Sequence, residues 1–437
     1  MLTTLKNALK IKDIRNKLLF TLGMLVVIRL GSQLPVPGVR IDQFTNWFNQ
    51  KIGDEFSFFN AFTGGSFERM SILALNITPY ITSSIIMQLL TIAIPKLEEM
   101  QKEGEDGRKK IASITRYVTV ALALIESTAM AVTFWNGNLL NDKKVLDAIT
   151  IVAALTAGSA FLMWVGERIT EKGVGNGISI VLVINIISRI PQDISNLFQQ
   201  FVLGKAIAVG AVAAIVIIAI MVVMVAMVVV LNAGTRKIPV QYAKKVQGRK
   251  MVGGQTSSIP LKVNTAGVIP IIFASSLMQL PIIVCSFWGY QGTGFWGHIL
   301  KGLNSGNWCN PNEPVYSIGL LVYIMLVVFF AYFYTSITFN PMEISENMKK
   351  QGGFIPGIRP GKPTSEYLTK ILNYIIFIGA VGLTIICVVP FFFNGIFGAQ
   401  VSFGGTSLII IVSVVLETMK QIESQMLVRN YKGFLND

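Results

Sequence analysis

AIAVGAVAAIVIIAIMVVMVAMVVVL, from Ala206 to Leu231, runs for 26 residues without a charge. A helix rises 1.5 Å per residue, so about 20 such residues cross the ~30 Å hydrocarbon core of a bilayer. In lipid the backbone must satisfy its own hydrogen bonds, which a helix does within one segment. This stretch therefore predicts a membrane-spanning helix, and it sets the rule by which the rest of the chain is sorted.

Nine further apolar blocks follow the same rule. The predicted spans are 18–34, 71–93, 114–135, 148–168, 177–190, 206–231, 264–286, 315–338, 368–390 and 406–427. The fifth is the shortest and is punctuated by polar residues. Of the 437 residues, 52% are hydrophobic and 14% charged, against about 25% charged in soluble domains. The chain is predicted to be an all-α integral membrane protein of ten helices.

The net charge of +14 would point to nucleic acid in a soluble protein. In a membrane protein it records orientation, because cytoplasmic loops collect Lys and Arg. Alternate segments carry 25 and 8 of the 37 basic residues, and the richer set includes both termini. Both termini are therefore expected in the cytoplasm. A basic amphipathic start (Lys6, Lys10, Lys12, Arg15, Lys17) precedes the first span, with no small-residue cleavage site after it, so no cleavable signal peptide is expected.

Two cytoplasmic loops are long for connectors. Residues 232–262 carry Arg236, Lys237, Lys244, Lys245, Arg249 and Lys250 with no acid, and residues 340–366 carry Lys349, Lys350, Arg359 and Lys362 among Gly and Pro. Two readings stand: simple obedience to the positive-inside rule, or a docking surface for an acidic or RNA-bearing partner. On the outer side, residues 56–66 are aromatic, too short to span, and broken by Gly64-Gly65. They read either as an interfacial aromatic belt or as a re-entrant piece, which requires a protein-lined or wet cavity.

Catalytic chemistry is scarce. His298 is the single histidine, and Cys285, Cys309 and Cys387 fit no zinc or redox spacing, so no metal, cofactor or enzymatic site is expected. Gly173-Val174-Gly175-Asn176-Gly177 follows a span rather than a strand and reads as a tight turn, not a phosphate loop. Asn76-Ile77-Thr78 matches a glycosylation sequon but falls where a span begins. Ion-coupled transporters place charge at the midplane; here Glu126 and Glu417 are the main exceptions, with Arg29 toward one end of its span. Aliphatic residues at helical spacing sit beside polar ones instead: Ile81 and Ile85 near Gln88, and Leu182 and Ile186 near Asn185.

Pro79-Tyr80-Ile81-Thr82-Ser83-Ser84-Ile85-Ile86-Met87-Gln88-Leu89-Leu90 resembles the second span of the SecY family. So do Gly166-Glu167-Arg168 with Gly175-Asn176-Gly177-Ile178-Ser179, and Tyr242-Ala243-Lys244-Lys245. The series continues with Leu261-Lys262-Val263-Asn264 before Ala266-Gly267-Val268-Ile269-Pro270, then Asn340-Pro341 and Gly357-Ile358-Arg359-Pro360-Gly361. Each motif is weak alone; their order along the whole chain is specific.

The resemblance implies two inverted five-helix halves, 1–205 and 206–437, around an hourglass pore. It implies a plug near 58–69, with Asn60, Ala61, Phe62, Thr63, Gly64, Gly65 and Ser66 at its centre. A ring of Ile81, Ile85, Leu182, Ile186, Ile272 and Ile410 would narrow the pore, Leu182 standing where isoleucine is common. A lateral gate between the second-to-third and seventh-to-eighth spans would involve Gln88 and Asn264. Arg359, with Arg236, Lys237, Lys244, Lys245, Arg249 and Lys250, would contact the SecA motor ATPase and the ribosome. The implied function is a protein-conducting channel of the bacterial plasma membrane. Its implied partners are SecE and SecG, nascent chains with signal sequences, and lipid. A ring of deformable aliphatic side chains suits a cargo without fixed sequence and dewets when that cargo leaves. A secondary transporter with broken helices is the alternative, disfavoured by the lack of midplane charge.

Overall fold

The computed structural model of the chain describes residues 8–51, 63–140, 144–201, 207–242, 245–247, 250–252, 256–287, 294–311, 313–397 and 405–433. Fourteen helices are named here: α1 (Lys12–Gly31), α2 (Ile41–Lys51), α3 (Thr78–Ala93), α4 (Pro95–Lys102), α5 (Glu105–Asn136), α6 (Val145–Lys172), α7 (Gly177–Phe201), α8 (Ile207–Ala233), α9 (Ile269–Phe287), α10 (Phe295–Leu303), α11 (Ile318–Thr338), α12 (Pro341–Lys350), α13 (Lys362–Phe397) and α14 (Gly405–Gly433). Every predicted span falls on one of them. Among the described residues six helices are long and apolar enough to cross a membrane, and a seventh if the bent pair α3–α4 is one span. Helix α1 carries Arg15 and Lys17, and α14 carries Glu417, Lys420 and Glu423, which lowers the apolar character of both.

The second span begins later than the sequence predicts. Residues 64–77 are turns rather than helix, with Pro35 bridged to Ser71 and the Val36 N–H donating to Met70 O at 2.9 Å. Met70, Ala74 and Ile77 are fully buried there, so this non-helical backbone is enclosed by protein, as the bilayer demands. At the other end, Ile94 is extended (φ −111°, ψ 110°) before Pro95, and α3 and α4 meet at 101°. A residue before proline is pushed out of the helical region, which is the cause of the bend.

The Gly173–Gly177 stretch is a turn that joins α6 to α7. Thr21 of α1 accepts from the Val174 N–H at 3.2 Å, and Asn176 Oδ1 accepts from the Ile178 N–H at 3.1 Å, capping α7. Thr418 of α14 packs against Gly175. The turn is thus wedged between the first and last long helices. Nearby, Arg116 of α5 meets Glu167 of α6 at 2.7 Å, which ties the Gly166-Glu167-Arg168 motif to its neighbour.

The two basic loops are one folded unit, which their sequences read separately do not reveal. Strand β1 (Thr235–Tyr242) pairs antiparallel with β4 (Thr256–Lys262), and β5 (Gly353–Phe354) adds to the other edge of β1, Gln241 opposite Phe354. Between them β2 (Lys245–Gln247) and β3 (Lys250–Val252) form a two-stranded ribbon. Along β1 Ile238 and Val240 point inward while Lys237, Pro239 and Gln241 are exposed, the alternation of a strand with one wet face. The inward face packs with Leu261, Met348 and Ile355 on Leu368, Ile371 and Ile375 of α13.

Candidate functional site

Leu182 and Ile186 are four residues apart on α7, so they share one helix face. Both are buried, as is Ile410 of α14, at 5%, 2% and 1% exposure. Ile81 of α3 and Ile272 of α9 pack half-buried against the same apolar cluster, which also holds Ile28, Val165, Ile169 and Val414. Five of the six predicted ring residues, from four helices, therefore meet in one cluster. Ile85, one turn further along α3, is half-buried and outside it. The closed cluster has no ionic group, so a chain of water through it would lack hydrogen-bond partners.

Of the predicted plug, Asn60, Ala61 and Phe62 lie outside the described residues. Thr63 and Ser66 are buried, and Gly64 and Gly65 are half-buried. Gly64 lies against Asn185 and Ser188 of α7, and Glu68 pairs with Arg189 of α7 at 3.2 Å. Asn185 also donates to Asn76 Oδ1 at 2.9 Å. The segment is thus seated next to Ile186, at one end of the apolar cluster. Arg189 reads in the sequence only as one more outer-side charge; its position one turn after Asn185 is the signal of its role.

The two predicted gate residues behave differently. Asn264 is buried at 7% exposure and donates to Asn232 Oδ1 at 2.8 Å; Asn232 in turn donates to Ser413 Oγ at 2.9 Å. This relay ties the approach to α9 to α8 and α14. Gln88 is exposed on α3. The structure does not join Gln88 to Asn264, while α5 does contact α9.

Of the basic residues in the sheet unit and the loops joined to it, Arg359 lies on a glycine-bounded loop. Gly357 and Gly361 have φ of +84° and +102°, values that glycine adopts without strain. Between them Arg359 is exposed. The Ile358 N–H donates to Ile355 O at 3.0 Å, Thr364 Oγ1 donates to Arg359 O at 2.8 Å, and Ser345 Oγ donates to Gly361 O at 2.7 Å. Ile355 and Ile358 root the loop in the core beneath the sheet. Arg359 is therefore an exposed cation on a loop whose backbone is anchored. Arg236 and Lys237 are exposed on β1, opposite Leu261 and Pro260. Lys245 begins β2 and Lys250 begins β3; Lys244 and Arg249 lie outside the described residues. Among the described residues no group of His, Cys, Asp and Glu could hold a metal ion.

The chain matches the family model described as SecY over residues 71–419. Protein translocase subunit SecY of Streptomyces galbus is 44% identical, with 100% of both chains covered. Its counterpart in Bacillus licheniformis is 43% identical, and that of Mycobacterium bovis 40%, both again over 100% of each chain. Among solved structures, a protein-conducting channel shares the fold with a TM-score of 0.62 at 19% identity, over 95% of this chain and 93% of that one. Sec61 in a canine ribosome–channel complex from the endoplasmic reticulum gives 0.60 at 18% identity, with the same coverage.

Proposed function

This chain belongs to the SecY family, and from that premise we propose how it works as the protein-conducting subunit of a translocase. It is a multi-pass membrane channel rather than an enzyme. Unfolded secretory chains cross through the middle of the molecule, and apolar segments leave sideways into lipid. The observation that carries this reading is the one apolar cluster in which residues of α3, α7, α9 and α14 meet, together with others of α1 and α6. A transporter needs a fixed polar site at that depth; a conduit for arbitrary sequence needs a deformable seal.

In this reading the ten predicted spans form two halves, 1–205 and 206–437, in the bacterial plasma membrane with both termini in the cytoplasm. Ile81, Ile85, Leu182, Ile186, Ile272 and Ile410 form the ring, and the segment around 60–66 plugs its outer end. The sheet unit and Arg359 receive SecA or the ribosome, and SecE and SecG complete the complex. A precursor stalled by a folded domain, with a photo-activated group placed in its channel segment, tests the path. We expect cross-links to Leu182, Ile186 and Ile410 and none to the lipid-facing Val222 and Val230 of α8. Cross-links confined to outward-facing helix surfaces would remove the central path.

The gate gives a separate expected result. Interhelical polar contacts in lipid are worth about 0.6–2 kcal/mol. Asn264→Leu breaks the relay to Asn232 and Ser413 and is expected to shift the closed–open balance about 3- to 30-fold. The readout is export of a precursor with a weakened signal sequence, which should rise. Gln88→Leu is expected to act less, because Gln88 is exposed. Unchanged selectivity in the Asn264 variant would show that the relay is only structural.

A further inference from the structure

We infer that α7 carries a two-point polar latch for the plug-bearing segment, formed by Arg189 with Glu68 and by Asn185 with Asn76. The inference rests on the channel reading and deepens it: it names what holds the resting seal and what must break when the channel opens. Residues 185, 188 and 189 form one stripe of α7, since positions three and four apart face the same way. Three residues of the 63–77 segment reach that stripe. Gly64 comes so close that a Cβ there would sit 2.7 Å from Asn185 O and 2.9 Å from Ser188 Oγ. The same Asn185 donates through Nδ2 to Asn76 Oδ1 at 2.9 Å, with both residues at or below 2% exposure. One turn on, Arg189 Nη1 meets Glu68 at 3.2 Å, with side chains 19% and 37% exposed.

These contacts differ from ordinary packing in two ways. They are directional, so they fix where the segment sits; apolar contacts alone would let it slide. They also differ in solvent access. The Asn–Asn bond is dry, and breaking it without a replacement partner is costly. The Arg–Glu pair is half-wet, so both charges regain water as the segment leaves. A latch of this kind holds the closed state and still releases under the pull of an arriving chain. Ile186 of the ring is the chain neighbour of Asn185, so a shift of α7 that widens the ring also moves both latch points. Ring and plug are thereby coupled through one helix.

The test uses the complete complex in planar bilayers, with resting ion conductance as the first readout. Precursor transport into vesicles made from the same preparations is the second. Arg189→Glu and Glu68→Arg are each expected to raise resting conductance about tenfold, and the double reversal to return it toward the parent. Asn185→Ala and Asn76→Ala, which place no new charge in the membrane, are expected to raise it in the same direction. Single variants as tight as the parent, in complexes that still transport precursor, would overturn the latch and leave the channel standing. Leaky single variants that the double reversal fails to rescue would overturn the pairing. A parent complex that transports no precursor would overturn the channel reading and the latch with it.

Discussion

A complex carrying Arg359→Glu is expected to assemble and insert normally and to lose motor-driven precursor transport by about a hundredfold. The fold should survive because the side chain is exposed, and surface substitutions away from special contacts usually cost within about 0.5 kcal/mol. The carbonyl of residue 359, held by Thr364, is unaffected by a change of side chain. Function should not survive, because the Gly357–Gly361 tip presents this cation in one fixed place. A reversed charge there meets its acidic or phosphate partner with repulsion where attraction was required. Arg236 and Lys237 lie on an open strand face, so their charges are shared and single reversals should be mild. The measurement is ATP-dependent protection of a precursor inside vesicles, with unfolding temperature in detergent as the control. Transport at the parental rate, at parental expression, would remove Arg359 from the contact.

Replacing Ile81, Ile85, Leu182, Ile186, Ile272 and Ile410 together with Gly is expected to raise resting ion conductance on the order of tenfold or more, because the constriction wets once its aliphatic groups are gone. Translocation should continue in part, since a wider conduit still conducts. Large-to-small changes at buried sites cost about 2–5 kcal/mol each, and Leu182, Ile186 and Ile410 are all buried. The milder pair Leu182→Ala with Ile410→Ala therefore accompanies the six-fold variant. It should leak less, but above the parent. Deleting residues 60–66 should add to the leak in either background, because in the proposed arrangement the plug and the ring seal in series. A six-fold variant that assembles and stays as ion-tight as the parent would place the constriction elsewhere.

Much of this was legible in the chain alone. The uncharged run 206–231 requires a spanning helix because lipid offers no hydrogen-bond partners to its backbone. The bias of Lys and Arg between alternate loops follows from the cost of moving charge across the membrane. The stretch after Asn340-Pro341 reads in the sequence as part of a basic loop; the structure makes it helix α12, with Asn340 Oδ1 accepting from the Met342 and Glu343 N–H and Pro341 in the first turn, a start that capping chemistry explains. These are local consequences of side-chain chemistry, and no distant residue is needed to derive them.

Other features rest on residues far apart in sequence. That 232–262 and 353–354 make one sheet depends on Tyr242 meeting Gly353, a pairing that charge counts do not encode. The late start of α3 depends on Leu34 and Val36, which capture the backbone of Ile72 and Met70 before it can turn helical. Leu182, Ile186 and Ile410 form one apolar cluster only because α7 and α14 pack together. Arg189 becomes more than an outer charge only because Glu68 lies beside it. The sequence by itself determined which segments are apolar enough to enter the membrane, because hydration of backbone and charge is a property of each segment. Tertiary structure decided which aliphatic residues meet in one cluster and which polar residues pair beside it, because such contacts exist only between segments far apart in sequence.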